Sequence, residues 1–191
     1  MTPGDPVLDF LSPDRAQALD GFAPERRSPL ARALAGRGGE LGLEDVTLTT
    51  GKIEVRGDLD DLEGDGFEVM RVTPDRALLL CEYERTASVR AEMSDRFRFV
   101  VDRTAALAGV RIERPDAERL LRRLTELDLA LLPAVGAVAR VAAYVLRDGE
   151  ASFRLFFGQE YGDYLLRVLV DAAEGLEGAP TTPPPDPLDR R

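Results

Sequence analysis

The stretch "FEVMRVTPDRALLLCEYERTASVRAEMSD", residues 67–95, contains two apolar runs, a turn and a helical segment in close succession. Residues 67–72 and 77–83 are rich in β-branched, aromatic and aliphatic side chains, which is typical of strands. The Thr-Pro-Asp-Arg sequence between them is typical of a turn. The stretch therefore predicts a β-hairpin, followed by a helix over residues 86–95.

The same order recurs towards the C-terminus. Residues 137–146 and 151–157, separated by a turn at Asp148-Gly149, predict a second hairpin, and residues 161–173 predict a second helix. The apolar side chains of this helix follow the spacing of an amphipathic stripe. The stripe consists of Tyr161, Tyr164, Leu165, Val168, Leu169 and Ala172.

A separate strand precedes each hairpin, at residues 52–56 and 109–113, and a further strand is predicted to end at Asp102. Placing Asp45 on Asp102 without a gap also aligns other residues of the same type. The further pairs are Thr47 with Thr104, Ile53 with Val110, and Val55 with Ile112. This repetition suggests an internal duplication. It predicts an α+β fold built from two β/ββα units, as ferredoxin-like halves with helices packed on antiparallel sheets.

Two more helices are predicted outside these units. Ser28 is a candidate N-cap, with Pro29 at the first helical position, for a short helix that Gly36 ends. Residues 114–127 predict a longer helix with one apolar face. That face consists of Ala117, Leu120, Leu121 and Leu124.

The only lysine, Lys52, follows a glycine, as in a phosphate-binding loop. Such a loop also needs a glycine where Val46 stands and a hydroxyl where Ile53 stands. Residues 52–56 instead alternate between charged and β-branched side chains. They are interpreted as a half-buried strand with Lys52 exposed, which argues against Schiff-base chemistry.

The composition limits the size of the folded unit, the partners and the chemistry of the protein. A chain of 191 residues with 44% hydrophobic residues is long enough for one domain or two small ones. Its net charge of -10 argues against nucleic acids and anionic membranes as partners. With no histidine, Ser-His-Asp and Cys-His arrangements are excluded. The single cysteine, Cys81, lies in an apolar run and is predicted to be buried and inert.

The proline content divides the chain into three parts. Residues 1–27 and 175–191 are predicted to be disordered or loosely docked tails, and residues 28–174 form the folded domain. Pro184 and Pro187 form a PxxP pattern, which is compatible with docking in a partner's aromatic groove, although short proline-rich tails are more often plain solvated ends. The N-terminus has no signal-peptide pattern, and no apolar run reaches the ~20 residues of a membrane span. Cytoplasmic localisation is the expectation.

Two further motifs are considered as ligand sites. In the acidic segment 58–68, Asp61, Glu63, Asp65 and Gly66 match early positions of a calcium-binding EF-hand loop, but Val72 replaces the bidentate glutamate. A solvated acidic loop is the ordinary interpretation, and calcium binding stays open. The glycines of residues 36–42 have the wrong spacing for a dinucleotide fingerprint and follow a helix instead of a strand.

Residues 99–133, "FVVDRTAALAGVRIERPDAERLLRRLTELDLALLP", resemble a signature of two related groups. These are the aminomethyltransferase-like folate proteins and the gamma subunit of heterotetrameric sarcosine oxidase. The shared features are an Asp-x-Ser/Thr at a strand end, a strand, Pro-Asp-Ala opening a helix, and a Leu-Asp-Leu. Residues 153–173, 27–35 and 43–57 also resemble that subunit, so the resemblance covers about residues 26–173.

The resemblance implies a subunit of a multi-subunit flavoenzyme that oxidatively demethylates sarcosine to glycine and passes the one-carbon unit to tetrahydrofolate. It implies that FAD, FMN, NAD and tetrahydrofolate are held by partner subunits of a heterotetramer, the larger alpha and beta and the small delta chains. The aminomethyltransferases carry a catalytic aspartate after the Leu-Asp-Leu region. Residues 137–146 contain no acidic residue there.

The sequence therefore predicts a non-catalytic, structural gamma-like subunit, with no catalytic, cofactor-binding or metal-ligating residue assigned on this chain. A stand-alone folate-binding or aminomethyltransferase-like protein is the alternative. A calcium-responsive module built on residues 58–68 is a third possibility.

Overall fold

The computed structural model describes residues 26–36 and 38–177. This part of the chain contains four α-helices and nine β-strands, joined by turns and short 3₁₀ segments. The helices are α1 (Ala31–Leu34), α2 (Thr86–Arg96), α3 (Ala117–Arg122) and α4 (Gly162–Glu177). The strands are β1 (Leu43–Asp45), β2 (Thr50–Arg56), β3 (Phe67–Thr73), β4 (Arg76–Glu82), β5 (Phe99–Asp102), β6 (Leu107–Glu113), β7 (Ala134–Val138), β8 (Val141–Gly149) and β9 (Ser152–Gly158).

The strands form two antiparallel sheets that face each other. The first sheet has the order β3-β4-β2-β5, and the second has the order β1-β6-β9-β8-β7. An apolar layer lies between them, with Met70, Leu78 and Leu80 from the first sheet and Leu107, Leu146 and Phe156 from the second. A second apolar cluster joins the first sheet to α2, and a third joins the second sheet to α3 and α4. The molecule is therefore layered as helix, sheet, sheet, helix.

The two halves repeat the same order of elements. In the ungapped alignment of Asp45 with Asp102, strand β2 falls on strand β6 from end to end. The hairpin β3-β4 followed by α2 corresponds to the hairpin β8-β9 followed by α4. The strand leading into each half pairs in the sheet of the other half, since β1 pairs with β6 and β5 pairs with β2. The predicted α+β fold with two halves and antiparallel sheets is confirmed.

The halves differ where a ferredoxin-like unit has its first helix. The second half has α3 between β6 and the hairpin. The first half has the acidic loop 57–66 between β2 and β3. Leu59 and Leu62 of this segment are buried in the cluster under the first sheet. Two leucines in a loop thus take the packing role that a helix has in the other half.

Residues 137–146 were predicted as one strand, and this is wrong. The chain reverses at Ala139 and Arg140, so that β7 and β8 form an additional hairpin. Both turn residues have positive φ, 48° and 68°. A two-residue turn of this kind usually carries Asn or Gly, because those residues adopt positive φ at low cost. The sequence Ala-Arg gives no such signal.

The helix predicted over residues 114–127 is shorter, because α3 ends at Arg122. The following residues bind the turn between β7 and β8 instead. The Leu124 carbonyl accepts a hydrogen bond from the Ala139 N–H (2.7 Å), and the Thr125 hydroxyl donates to the Ala137 carbonyl (2.7 Å). These contacts replace the hydrogen bonds of further helical turns.

Helix α4 buries a stripe that is rotated by about one residue from the predicted one. Tyr161 and Tyr164 are exposed, at 48% and 49%, and the Tyr164 hydroxyl donates to the Ala139 carbonyl (3.1 Å). The buried positions are Leu165, Leu166, Leu169, Val170, Ala173 and Leu176. The tyrosines made the predicted stripe look continuous, although their polar ends favour the surface.

Most of the two predicted tails, 1–27 and 175–191, lies outside the described residues. The same is true of the PxxP pattern at Pro184 and Pro187. The domain boundaries therefore stay predictions. Helix α4 ends at Glu177.

Candidate functional site

Lys52 lies between the two sheets, and its predicted exposure is wrong. The side chain is 0% exposed, and its ammonium group lies 5.7 Å from the centre of the Phe156 ring. Nζ donates a hydrogen bond to the Thr47 carbonyl (2.8 Å). The alternation of β2 correctly separated its two faces, but the second sheet covers the charged face.

Burial lowers the pKa of Lys52 from 10.5 to about 8. Desolvation of the ammonium is the main cause, and the positive charge of Arg26 adds to it. The carboxylates of Asp45 and Asp102 oppose the shift. The amine is thus close to neutral in mildly alkaline solution, but its burial keeps it away from any substrate.

Cys81 is the other candidate nucleophile, and it is also buried, as predicted. Burial raises the pKa of its thiol, because a thiolate is poorly solvated there. The protein therefore presents neither an accessible amine nor a thiolate on these two residues.

Glu54, on the same face of β2 as Lys52, is the centre of an arginine cluster. Its carboxylate is 2% exposed and forms ion pairs with Arg56 (2.8 Å), Arg76 (2.9 Å) and Arg103 (3.4 Å). Arg76 also donates to the Tyr144 hydroxyl of the second sheet (3.0 Å). The cluster therefore connects strands β2 and β4 with the opposite sheet.

The charges of this cluster are not balanced. Burial alone would raise the pKa of Glu54, but the hydrogen bonds and charges of Arg56 and Arg76 outweigh it and hold the pKa below its usual value. One carboxylate thus faces three guanidinium groups. The Nε atoms of Arg76 and Arg103 are buried without a hydrogen-bond partner among the described residues.

The two Asp-x-Thr sequences form a matching pair of turns. The Thr47 N–H donates to Asp45 Oδ1, and the Thr104 N–H donates to Asp102 Oδ1, both at 2.9 Å. The Thr47 hydroxyl then accepts from the Gly109 N–H (3.0 Å), and the Thr104 hydroxyl accepts from the Lys52 N–H (2.9 Å). Each threonine joins its turn to the strand that pairs with the strand before the turn, Thr47 to β6 and Thr104 to β2. In this chain the motif is structural.

We expect Thr104→Val to destabilise the protein by about 1–3 kcal/mol, because the buried Lys52 N–H loses its acceptor. Thr47→Val should cost a similar amount, since it orphans the Gly109 N–H in the equivalent place. Urea unfolding measures both changes. Thr73→Val, which removes an exposed hydroxyl bonded only to Asp75, is the control. Equal stabilities of the Thr104→Val and control variants would contradict this role.

A groove of about 480 Å³ is lined by the start of β2 and the end of β4, away from the Glu54 cluster. Its two arginines are already paired with carboxylates. Arg111 binds Glu44 (2.8 Å), and Arg154 binds Asp148 (2.7 Å) and Glu68 (2.6 Å). Three carboxylates thus face two guanidinium groups, and the groove offers no surplus positive charge to an anionic ligand.

The acidic segment 58–68 is held by Arg96 of α2 and by Arg85, the residue just before α2. Arg96 donates to the Asp61 carbonyl (2.8 Å), and Arg85 donates to the Asp65 carbonyl (3.0 Å). Within residues 26–36 and 38–177, no group of three or more acidic, cysteine or histidine side chains is arranged to hold a metal ion.

In the part of the chain that the structure describes, no helix has the length and apolar character to cross a membrane.

Sequence reasoning did not find the Glu54 cluster. Its members come from strands β2 and β4 and from the residue after β5, which are adjacent only in the folded sheet. The alternation of residues 52–56 placed Lys52, Glu54 and Arg56 on one face. The covering of that face by the second sheet depends on a contact that this short pattern does not encode.

Comparison with known proteins gives a structural match. No family model matches the chain, and no curated protein matches its sequence. A chain of heterotetrameric sarcosine oxidase from Corynebacterium sp. U-96, solved in complex with pyrrole 2-carboxylate, superposes with a TM-score of 0.71 and 19% identity. The match covers 82% of this chain and 99% of that one. A chain from a structure of aspartokinase alpha and beta subunits gives a TM-score of only 0.43, at 14% identity, with coverage of 70% and 97%.

The comparison shows that this protein has the fold of a chain of a heterotetrameric sarcosine oxidase. The two folds correspond over nearly the whole length of that chain.

Proposed function

We propose that this protein is a non-catalytic gamma-type subunit of a heteromeric oxidase that demethylates sarcosine to glycine. The observation that supports the proposal most is the structural match over 99% of a chain of heterotetrameric sarcosine oxidase. A match over a whole chain favours a separate subunit of the same kind over a shared fragment.

The side chains of the candidate site support a role in assembly. Lys52 and Cys81 are buried, so neither nitrogen nor sulfur can attack a substrate without rearrangement of the core. Glu54 is bound by arginines that hold its pKa low, so it is a poor proton carrier near neutral pH. With no histidine in the sequence, the usual general base is also missing.

The proposal includes the partners that such a role requires. The larger alpha and beta chains and the small delta chain of a heterotetramer would carry FAD, FMN and NAD and would transfer the one-carbon unit to tetrahydrofolate. The present chain would stabilise these subunits by contact. Cytoplasmic localisation is part of the same proposal.

Co-expression tests the subunit role. The tagged chain is purified alone and after co-expression with the flavoprotein subunits of a heterotetrameric sarcosine oxidase. We expect flavin absorbance and sarcosine oxidation to co-elute with the tag only after co-expression. Sarcosine oxidation by the chain alone, or elution of the tag without flavin in both preparations, would contradict the proposal.

Calorimetry distinguishes the stand-alone alternative. Titration of the isolated chain with tetrahydrofolate should give no saturable heat if the folate belongs to a partner subunit. Saturable binding would favour a folate-binding or aminomethyltransferase-like protein.

A further inference from the structure

Strand β5 forms one edge of the first sheet. Among the described strands it pairs only with β2, through registers that run from Phe99 opposite Arg56 to Asp102 opposite Ile53. The N–H of Arg103 donates to the Lys52 carbonyl (2.8 Å), so the backbone N–H and C=O groups of Arg103 point towards β2. In an antiparallel pair, inward- and outward-pointing backbone groups alternate. The N–H and C=O groups of Val100 and Asp102 therefore point away from the sheet.

The other edges are less suited to receive a strand. The edge of β7 is partly covered, because the Ala137 carbonyl accepts from Thr125 and the Ala139 N–H donates to Leu124. Strand β1 has only three residues, and β3 directly follows the acidic loop 57–66. Strand β5 instead carries the apolar sequence Phe-Val-Val, with Phe99 44% exposed.

Arginines surround this edge, although the protein as a whole has a net charge of -10. Arg56 stacks on the Phe99 ring, with 4.7 Å between its guanidinium carbon and the ring centre, and is 49% exposed. Arg103 follows the strand and is 35% exposed. Arg98 precedes it, is exposed, and has no hydrogen-bond or ion-pair partner among the described residues. We call Arg56, Arg98 and Arg103 the arginine rim.

The rim has more positive charge than its neighbours neutralise. Arg56 and Arg103 share the Glu54 carboxylate with Arg76, and Asp102 accepts a hydrogen bond within its own turn. Most N–H donors of the rim are therefore available to further acceptors. Guanidinium groups bind carboxylates with charge-assisted hydrogen bonds, often two at a time.

We propose that the β5 edge and the arginine rim receive an extended, acidic segment of a partner polypeptide by strand addition. The backbone of the segment pairs with the outward groups of Val100 and Asp102, and its carboxylates bind the rim. This inference rests on the proposed subunit role, because it names the surface through which the chain meets a partner. The like charges of the rim disfavour a second copy of the chain as the occupant.

The test uses the full chain and three labelled hexapeptides in fluorescence anisotropy. The first peptide alternates glutamate and valine, the second alternates lysine and valine, and the third is the glutamate peptide with every backbone amide N-methylated. We expect saturable, salt-sensitive binding of the first peptide only. The N-methylated peptide has the same charge but cannot form the strand ladder, so its failure to bind separates strand addition from charge attraction.

Variants locate the binding surface. Arg98→Glu leaves the Glu54 cluster intact and should weaken binding of the glutamate peptide several-fold, and the double variant Arg56→Gln/Arg98→Glu about tenfold. Arg119→Glu, on the exposed side of α3, is the charge-matched control and should leave binding unchanged.

Several outcomes overturn the proposal. These are equal binding of the N-methylated or lysine peptide, equal loss in Arg98→Glu and Arg119→Glu, or no saturable binding at millimolar peptide. Self-association that competes with the peptide would assign the edge to a second copy. Assembly of the flavin-containing complex without peptide binding at this edge would reject only this inference, whereas peptide binding without complex formation would reject only the subunit role.

Discussion

Glu54→Gln is expected to lower the free energy of unfolding by about 2–4 kcal/mol at pH 7. The substitution removes the one carboxylate that three guanidinium groups share at the end of the inter-sheet layer. Arg76 and Arg103 then repel each other, and their buried Nε atoms already have no partner among the described residues. Removing the buried partner of an ion-pair cluster leaves the remaining charges uncompensated, here guanidinium groups that are only partly solvated. Urea unfolding followed by circular dichroism measures the change.

Glu118→Gln is the matched control. Glu118 also binds two arginines, Arg122 (2.7 Å) and Arg147 (2.9 Å), but all three side chains are partly exposed. Solvent screens such a pair, so the control should change stability much less than Glu54→Gln. Similar losses in the two variants would show that burial of the Glu54 cluster is not what matters.

Lys52→Met should abolish a rise in stability that the unmodified protein shows in alkaline solution. Below pH 8 the amine is protonated in both the folded and unfolded states. Between pH 8 and 10.5 the folded state has released the proton and the unfolded state still binds it, so the free energy of unfolding rises with pH. The pKa shift corresponds to about 3 kcal/mol over this window. Lys52→Met lacks this contribution, and its stability relative to the unmodified protein should fall by that amount.

The measurement compares unfolding of the two proteins at several pH values, so that the other titrating groups cancel. Because Lys52 is the only lysine, isotope labelling of lysine gives one side-chain amine signal, whose titration reports the folded pKa directly. A midpoint near 10.5, or parallel pH profiles for the two proteins, would contradict the burial of Lys52.

Local patterns were sufficient to predict most of the strands and helices. The hairpin of residues 67–83 and the helix after it have strong apolar and turn signals, and the structure has both nearly at the predicted bounds. The hairpin turn at Ala139-Arg140 was missed because neither residue type favours positive φ. Its geometry is supported by Leu124 and Thr125, which are distant in sequence.

The burial of Lys52 shows a second limit. Alternation within a strand identifies two faces, and it normally assigns the charged face to solvent. Here Phe156 and the Thr47 carbonyl, from the opposite sheet and the preceding turn, surround the charged side chain. In the alignment of the two halves, Gly109 falls on Lys52. An added Cβ at Gly109 would lie 2.7 Å from the Phe156 ring, so this position has no room for a side chain.

The reciprocal placement of β1 and β5 has a consequence for the integrity of the chain. A backbone cleavage between α2 and β5 would leave each fragment without one edge strand of its sheet. The first sheet would lack β5, and the second sheet would lack β1. Neither fragment should then fold in isolation, but the two should reassemble on mixing, with a stability that depends on their concentration. In the intact protein the connecting backbone holds the two halves at an effective concentration on the order of mM relative to each other. The stability of the intact chain therefore does not depend on the protein concentration.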